Sequence, residues 1–517
     1  MAIPPNLRND VLKLDTLPNE IIVQIVESLG LDINEPYRTL YEQFFHAEDK
    51  WAREAMQKLC LVSRKVGSAA QRALYKDIYV HNQRTLVYLY RSMLERPELG
   101  TYTKRVTFDI ILGYFADLTP LHLCKGSGFD ELWTKQPIEE LGNMELNTQL
   151  LSVLYFKLLR CTPNLSILES IVLPPPRYKD IGIVSATFMQ ENSTRPWDDI
   201  CNWFPYLPKL EILHLMGGEI EGNSLDFVAR LCKAFLTLPR VRKMIWSWDD
   251  EIWFQNMGYN GNPRNHDPSL RFEKITSLEL ARTACLPSHL MDICTSFPSL
   301  ETLSIDRRLH EVIPDDALEL VGRRFLSDQL SRLKQLRTLK LGLLYSFNIS
   351  EILGPTGTLS LISLPKLQTL EVPIGFFVET NPEGEDKVLC PTWVLPKSLR
   401  SLTLWVDMRC RNHRKENMVL NAFYKHNVIV LDFLEALCRE SPTHFPHLRQ
   451  VGFHKGVREA MDCVDDPDNY SPPPEYLFYP DVNLHTHHNA CEARLESLWD
   501  SFEKVGVSFY KVPKRDV

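Results

Sequence analysis

The chain has 517 residues, of which 44% are hydrophobic and 24% are charged, and 58 basic residues against 66 acidic ones give a net charge of −8. This composition is that of an ordinary globular protein and excludes wholesale disorder. It also disfavours a general nucleic-acid-binding protein, which needs a basic surface to displace the counterions of the phosphate backbone. The length corresponds to about three to five domains, unless the chain is built of repeats.

Three sequence features predict a protein that stays inside the cell. No run reaches the roughly 18–20 consecutive apolar residues of a membrane-spanning helix. The first ten residues contain no apolar segment of the kind found in a secretory signal. The 12 cysteines are scattered, without a Cys-x-x-Cys pair, and do not indicate a disulfide framework. We therefore expect a cytoplasmic or nuclear protein, or both, without a membrane partner.

The most informative segment begins at Leu17 and Pro18. Proline fits the first position of a helix, because the N–H group that it lacks has no partner there. Glu20 adds a negative charge in the first turn, where the helix dipole favours it. The apolar residues that follow at helical spacing are Ile21, Ile22, Ile25, Val26 and Leu29. The pattern predicts a helix that begins sharply behind a displayed leucine.

Two more short helices are predicted after this one. The first has an apolar face that includes Met56 and Leu59, and the second follows Ser63, a residue suited to cap a helix. An alternating segment over residues 74–80 then predicts a strand or an extended exit. Three short helices bury only a marginal core. The module, which we place at residues 12–80, therefore needs a partner surface or the rest of the chain.

The order of these residues resembles that of an F-box. The resemblance rests on the pattern Leu17-Pro18-x-Glu20-Ile21-x-x-x-Ile25-x-x-x-Leu29, followed by Leu59-x-x-Val62-Ser63-Arg64 and Leu74-Tyr75. It implies that the module docks onto the Skp-type adaptor of a Skp–cullin–F-box ubiquitin ligase and, through that adaptor, joins a cullin. The residues that the resemblance assigns to this contact are Leu17, Pro18, Ile21, Ile25, Leu59 and Val62. The stretch from Pro18 to Val62 is longer than in the family, so an insertion is expected within it, at about residues 30–50.

A degenerate repeat is predicted over residues 161–510, after linking helices and irregular first repeats at 81–160. Each clear copy is six residues long and has apolar residues at its first, fourth and sixth positions. Clear copies begin at Leu210, Val241, Ile275, Leu300, Leu336, Leu367, Leu399 and Leu448. A degenerate member with Ser170 at its third position begins at Leu165, and the mean step over all of them is about 35 residues. Apolar stripes at helical spacing lie between copies, over residues 225–236, 318–333 and 428–438. A last helix and strand are expected at 495–509.

Proline precedes many of the predicted strands. It stands two residues before the first apolar position at Pro208, Pro239, Pro298, Pro365 and Pro446. A proline there ends a helix and favours an extended entry into a strand. The repeated unit is therefore predicted to be a helix, a turn and a short strand. A unit of this kind cannot cover its own apolar face, so it is stable only in a stack.

This unit resembles the leucine-rich repeats found behind many F-boxes, although the usual asparagine after the strand is mostly missing. The resemblance implies an α/β fold in which a small all-α F-box precedes an irregular leucine-rich-repeat solenoid, with parallel strands on the concave face and helices on the convex face. Side chains alternate along a strand, so the residues between the apolar positions point outward. The outward residues expected to contact a target protein are His214, Lys243, Glu279, Thr302, Thr338, Lys340, Glu371 and Thr403. An unrelated α/β domain with leucine-rich strands is the alternative.

No motif in the sequence indicates catalysis. Phosphate-binding glycine loops, the Gly-x-Ser-x-Gly turn and the His-Glu-x-x-His helix are all missing. The nearest approach to a metal site is the segment from His485 to Cys491, whose residue types suit zinc. Its spacing matches no standard site, and a solvated loop is expected there. We therefore expect no catalytic residues, no metal and no cofactor.

Two functions from different classes follow from these patterns. In the first, the chain is a non-catalytic adaptor whose F-box binds the Skp-type subunit and whose repeats bind a target protein. In the second, it is an interaction scaffold outside any ubiquitin ligase, and its N-terminal helices only cap the first repeat. A hydrolase or metal enzyme without a known motif is a third, remoter alternative. Nucleic acid is not an expected partner in any of them.

Overall fold

A computed structural model describes this chain in a set of separate segments. They are residues 17–28, 47–80, 83–108, 155, 158–171, 207–216, 238–247, 271–281, 293–306, 323–342, 359–380, 386–405, 416–454 and 484–512. The stripe expected at 225–236 and most of the expected insertion, residues 30–46, lie outside them. The chain divides into two compact units, Met1–Val241 and Arg242–Val517.

The first unit begins with three helices that pack around one apolar core. They are α1 (Asn19–Ser28), α2 (Ala47–Leu59) and α3 (Arg64–Lys76). The core residues are Ile22, Val26, Met56, Val66, Ala69 and Ala70. All three helices agree with the sequence prediction. Helix α1 begins one residue later than expected, because the Pro18 carbonyl accepts the first helical hydrogen bond, from the Ile22 N–H at 3.1 Å.

Four parallel strands complete the described part of the first unit. They are β1 (Asp77–Val80), β2 (Arg105–Phe108), β3 (Ile167–Ile171) and β4 (Ile212–Met216). Each pairs in parallel with the next one along the chain. Helices α4 (Gln83–Glu95) and α5 (Pro97–Tyr102) connect β1 to β2. Strand β1 follows α3 directly, so the alternating segment predicted at 74–80 is helical at first and extended only from Asp77.

The second unit contains a larger sheet in which every neighbouring pair is parallel. Its strands, in order, are β5 (Lys243–Ser247), β6 (Ser277–Ala281), β7 (Thr302–Asp306), β8 (Thr338–Gly342), β9 (Thr369–Pro373), β12 (Ser401–Trp405), β13 (Gln450–His454) and β14 (Ser508–Val512). A short antiparallel hairpin, β10 (Val378–Thr380) and β11 (Asp386–Val388), intervenes between β9 and β12. The predicted α/β class with parallel strands is thus confirmed.

Helices connect several strands of the second unit. They are α6 (Arg323–Leu330), the 3-10 helix Ile374–Phe377, α7 (Pro391–Val394), α8 (Glu416–His444) and α9 (Leu484–Lys504). The stripe at 428–438 and the last predicted helix and strand are confirmed by α8, α9 and β14. The segment His485–Cys491 belongs to α9 and not to the expected loop. In the part of the chain that the structure describes, no helix is both long and apolar enough to cross a membrane.

The repeated pattern corresponds to one strand per copy. The second apolar residues of successive copies in the second unit pair with one another in register: Met244, Leu278, Leu303, Leu339, Leu370, Leu402 and Val451, then Phe509 in β14. All are buried. A one-residue slip would move each of them to the opposite face of the sheet. Burial of this row therefore specifies the register of the whole sheet.

A turn was predicted before each strand of the repeat, and before most strands of the second unit the structure has a tight one. In it, the first apolar residue of the copy donates its N–H to the carbonyl three residues back, as Leu300 does to Phe297 at 3.3 Å. We call these segments the entry turns: residues 272–276, 297–301, 333–337, 364–368, 396–400 and 445–449. Proline, where present, mostly occupies the second position, for which its fixed φ is suited. The prolines therefore form a β-turn and not only an extended entry.

Candidate functional site

The start of α1 is held against the first turn of α3. The Lys65 ammonium donates a hydrogen bond to the Leu17 carbonyl, and the Leu17 side chain packs partly buried on the helical core. Pro18 and Ile21, which follow, are exposed, Ile21 to 39%. The sequence folds this way because α1 packs Ile22 and Val26 on the core, and Ile21, about 100° around the helix from Ile22, lies outside that face.

The turn between α2 and α3 displays two apolar side chains. Leu61 is 87% exposed and Val62 is 58% exposed. Their N–H groups donate to the Lys58 and Leu59 carbonyls at 3.0 and 3.2 Å. Ser63 then caps α3, since its hydroxyl accepts from the Val66 N–H at 3.2 Å. The backbone of this turn is therefore well defined, although its side chains face solvent.

These two features lie near each other on the helical module. We call them together the Leu-Pro patch and define it as Leu17, Pro18, Ile21, Leu61 and Val62. Its two parts are neighbours because Lys65, which holds the Leu17 carbonyl, lies in the turn of α3 that follows Val62. Exposed large apolar side chains in one region of a module are typical of surfaces that bind a partner.

The sequence placed most of this patch but missed one residue. Of the six predicted contact residues, Pro18, Ile21 and Val62 are exposed, whereas Leu17, Ile25 and Leu59 are half-buried. Leu61 is the most exposed large apolar residue in the described chain, yet it was not predicted. The available signal was the apolar run from Leu59 to Val62. Four consecutive side chains at a helix end point in different directions, so they cannot all pack on one core and at least one of them is exposed.

Replacing Gly67 by alanine is expected to destabilise the helical module by about 1–3 kcal/mol. A Cβ atom there would lie 2.7 Å from the Cys60 carbonyl oxygen, so α3 or the turn would have to move. The same change in an ordinary helix stabilises by roughly 0.5–1 kcal/mol. Thermal unfolding followed by circular dichroism measures the sign, and Ser68→Ala, at the exposed next position, is the control. A stabilised Gly67→Ala variant contradicts the close packing of this turn.

Several residues expected to bind a target pair with each other across neighbouring strands. The Lys243 ammonium lies 3.1 Å from the Glu279 carboxylate, and the Lys340 ammonium lies 3.0 Å from that of Glu371. Three further residues of the predicted set are half-buried on the same face, the threonines Thr302, Thr338 and Thr403. The set thus lies on one polar face within the second unit, except for His214, which belongs to the first.

His214 is only 7% exposed, in contrast to the expected surface position. It lies in a buried polar cluster with Arg105, Thr107 and Glu169, all on the outward positions of β2, β3 and β4. Arg105 donates to both oxygens of Glu169, at 2.9 and 3.1 Å from Nη2. The Thr107 hydroxyl also donates to this carboxylate, and His214 Nδ1 lies 3.8 Å from it. The cluster is therefore a buried ion pair, with two further polar partners, on β2, β3 and β4 of the first unit.

The pKa of the Glu169 carboxyl is lowered from its ordinary value. Burial alone would raise this pKa, because it penalises the charged form. The neighbouring His214 imidazole, the Arg105 guanidinium and the Thr107 hydroxyl act against burial and outweigh it. Glu169 is therefore an anion held by its partners, which suits a structural role better than that of a general acid.

Four of the described thiols, those of Cys60, Cys161, Cys294 and Cys438, are poor nucleophiles because burial disfavours the thiolate. Burial raises the pKa of Cys294 to about 12, with only a small opposing effect of Arg332. Burial also raises the pKa of Cys60, Cys161 and Cys438. Reactive cysteines need the opposite shift, toward the thiolate. Among the described residues, no group of three or more His, Cys, Asp and Glu side chains could hold a metal ion.

The geometry of the described chain thus offers surfaces for contact and a structural ion pair. Comparison with known proteins adds no further guide to its function. The sequence matches no protein-family model and no curated protein.

Proposed function

We propose that this chain is the substrate-recognition adaptor of a Skp–cullin–F-box ubiquitin ligase. The observation that carries the proposal is the Leu-Pro patch, in which Leu61 and Val62 face solvent beside Leu17 and Pro18. Among the described residues, Leu61 and Val62 do not pack on the core of the module, and their contact with water is unfavourable. A Skp-type adaptor that covers the patch would remove them from water, which is the main driving force of such contacts.

In this proposal the repeats form an irregular leucine-rich-repeat solenoid that holds a target protein. Support comes from the parallel strands of the second unit, which occur in chain order, apart from the β10–β11 hairpin, with their second apolar residues in register. Their outward face is polar and carries both signs of charge, as Lys340 and Glu371 illustrate. The chain would catalyse no reaction of its own. It would raise the effective concentration of the target near the ligase, as any tether does.

The alternative function is a scaffold whose N-terminal helices only cap the sheet. One observation favours it, because α3 continues directly into β1 and the Lys76 carbonyl accepts the Lys104 N–H at 2.9 Å. The two proposals differ in what the Leu-Pro patch does. A cap has no partner to bind, so under the alternative the unmodified chain does not co-purify with a Skp-type adaptor.

Replacing Leu61 and Val62 together by aspartate is expected to abolish binding of a purified Skp-type adaptor to the full chain. Aspartate in a dry apolar contact loses its hydration without gaining a partner. Co-purification on a tagged chain measures the loss. The matched control is Tyr88→Asp with Leu94→Asp, two exposed apolar residues of α4, which should leave binding unchanged. Because Leu61 and Val62 are exposed, the variant should keep the circular dichroism spectrum and Tm of the parent. Undiminished adaptor binding would contradict the proposal.

A further inference from the structure

Six basic side chains lie along one edge of the sheet in the second unit. Parallel strands all begin at the same edge, so their entry turns lie together there. The four entry turns before β8, β9, β12 and β13 contain no Asp or Glu. Their basic residues, which we call the basic edge, are Lys334, Arg337, Lys366, Lys397, Arg400 and Arg449. All six are exposed, on a chain whose net charge is −8.

Hydrogen bonds between successive turns establish that these residues are neighbours. The Arg337 carbonyl accepts the Gln368 N–H at 2.8 Å, and the Gln368 carbonyl accepts that of Arg400 at 2.7 Å. The Arg400 carbonyl in turn accepts the Arg449 N–H at 2.8 Å. Each entry turn thus lies one interstrand spacing away from the next one. The basic edge is therefore a continuous row and not a set of scattered surface charges.

The positive charge of this row is largely left without a carboxylate partner among the described side chains. The described hydrogen bonds of the row go mostly to neutral oxygens: the Ser363 carbonyl for Lys334, the Gln335 side chain for Lys366 and the Leu448 carbonyl for Arg449. Arg337 lies 3.5 Å from the Glu301 carboxylate, but both side chains are about half exposed, and such pairs contribute little. The row therefore keeps a positive potential toward solvent.

Two exposed apolar side chains adjoin the basic edge. Trp393 is 67% exposed and Ile362 is 50% exposed. Their backbones are adjacent, since the Leu361 N–H donates to the Val394 carbonyl at 2.8 Å. Ile362 also directly precedes the residue whose carbonyl binds the Lys334 ammonium. An exposed tryptophan beside basic residues has the composition of a binding hot spot, in which Trp and Arg are enriched.

We propose that the basic edge binds an acidic segment of a partner protein, which carries one apolar residue that contacts Trp393 and Ile362. Charge complementarity selects such a segment and steers its approach. The four turns span about 14 Å at about 4.8 Å per strand, which about four or five extended residues cover. The aliphatic side chain of Ile362 beside Trp393 suits a protein segment better than a nucleic acid, and the net negative charge of the chain opposes a long polyanion. The inference is independent of adaptor docking, because the basic edge belongs to the second unit alone.

The test uses the full chain and a fluorescein-labelled peptide of about 12 residues, alternating Glu and Asp around one central Phe. Fluorescence anisotropy is expected to show binding that weakens between about 50 and 300 mM salt. Lys397→Glu with Arg400→Glu should weaken binding about tenfold or more. The matched control is Lys58→Glu with Arg64→Glu, the same charge change on exposed residues of the first unit, and it should retain most of the affinity. Trp393→Ala should weaken binding of the Phe-containing peptide but not of an all-acidic one.

Three results would overturn the inference. One is unchanged binding in the Lys397→Glu, Arg400→Glu variant, with its fold verified by circular dichroism and Tm. Another is an equal loss in the control variant, which would mean that net charge alone decides binding. The third is tighter binding of a single-stranded oligonucleotide of the same charge, which would assign the basic edge to nucleic acid. An equal effect of Trp393→Ala on both peptides would remove the apolar anchor from the proposal.

Discussion

Replacing Glu169 by glutamine is expected to lower the free energy of unfolding by about 3–5 kcal/mol, because it leaves a buried arginine without its counter-charge. Glu169 accepts two hydrogen bonds from Arg105 Nη2, and both side chains are almost fully buried. A glutamine keeps the size of the side chain but not the charge that offsets desolvation of the guanidinium. Denaturant unfolding of the full chain, followed by circular dichroism, measures the change.

The matched control for this substitution is Glu279→Gln. Glu279 occupies the same position in β6 as Glu169 does in β3, the middle of a five-residue strand. Its ion pair with Lys243 is about one-third exposed on both sides. A pair of that kind contributes about 0–1 kcal/mol, so the control should be nearly neutral. Equal effects of the two substitutions would mean that the Arg105–Glu169 pair is not buried in solution.

The same pair predicts how stability depends on pH. The pKa of Glu169 is lower in the folded chain than its ordinary value, which is about 4.3 when unfolded. The unfolded state therefore binds more protons between these two pKa values, and stability rises with pH there. The contribution of Glu169 is complete above the unfolded pKa and is lost as pH falls through the folded one. Accordingly, the stability difference between the parent and Glu169→Gln should shrink as pH falls through this acidic window, and a constant difference would contradict the lowered pKa.

Gly100→Ala is expected to be the most damaging small substitution in the first unit. A Cβ atom at this position of α5 would lie 1.8 Å from the Cys161 carbonyl oxygen and 2.9 Å from its carbon. The obstacle is backbone, not the end of a flexible side chain, so α5 and the turn that leads to β3 would have to separate. We expect a loss of at least about 3 kcal/mol, measured as a fall in Tm and in denaturant midpoint.

Thr101→Ala is the matched control for this change. Thr101 is exposed and adjoins Gly100 in the same helix. Its hydroxyl donates only to the Glu98 carbonyl, at 2.7 Å, so its loss should cost less than about 1 kcal/mol. If Gly100→Ala were as stable as this control, α5 could not approach Cys161 as closely as the structure has it.

Local patterns were sufficient to predict most elements that the structure describes. Leu339 and Leu370 illustrate why, because each is the second apolar residue of a copy and both lie at one register position of the sheet. A period of apolar residues maps directly onto a buried row, whatever the connecting segments do. A turn before each strand was predicted, but its hydrogen bond was not, because that bond depends on a buried residue three positions earlier, such as Phe297 or Leu333. That residue is a leucine or phenylalanine like many others in the chain.

The candidate site could be predicted only in part. Pro18 and Ile21 follow from the helix start, but the exposure of Leu61 depends on how α2 meets α3. His214 was expected on the surface because the alternation of side chains along a strand assigns each residue to one of two faces. The alternation does not show whether the rest of the protein covers that face. In the structure His214 is buried beside the Glu169 carboxylate.

By itself, the sequence determined the class of the fold, the helical module and the position of each repeat. Those properties depend on the periodicity of apolar side chains and on proline and serine at element ends, which are local. Tertiary structure alone decided the pairing of Arg105 with Glu169, the display of Leu61 and the alignment of Arg337 with Arg400 and Arg449. These residues lie tens of positions apart in the chain. Only the parallel pairing of strands and the packing of helices bring them together, because such contacts depend on distance in space and not on separation in sequence.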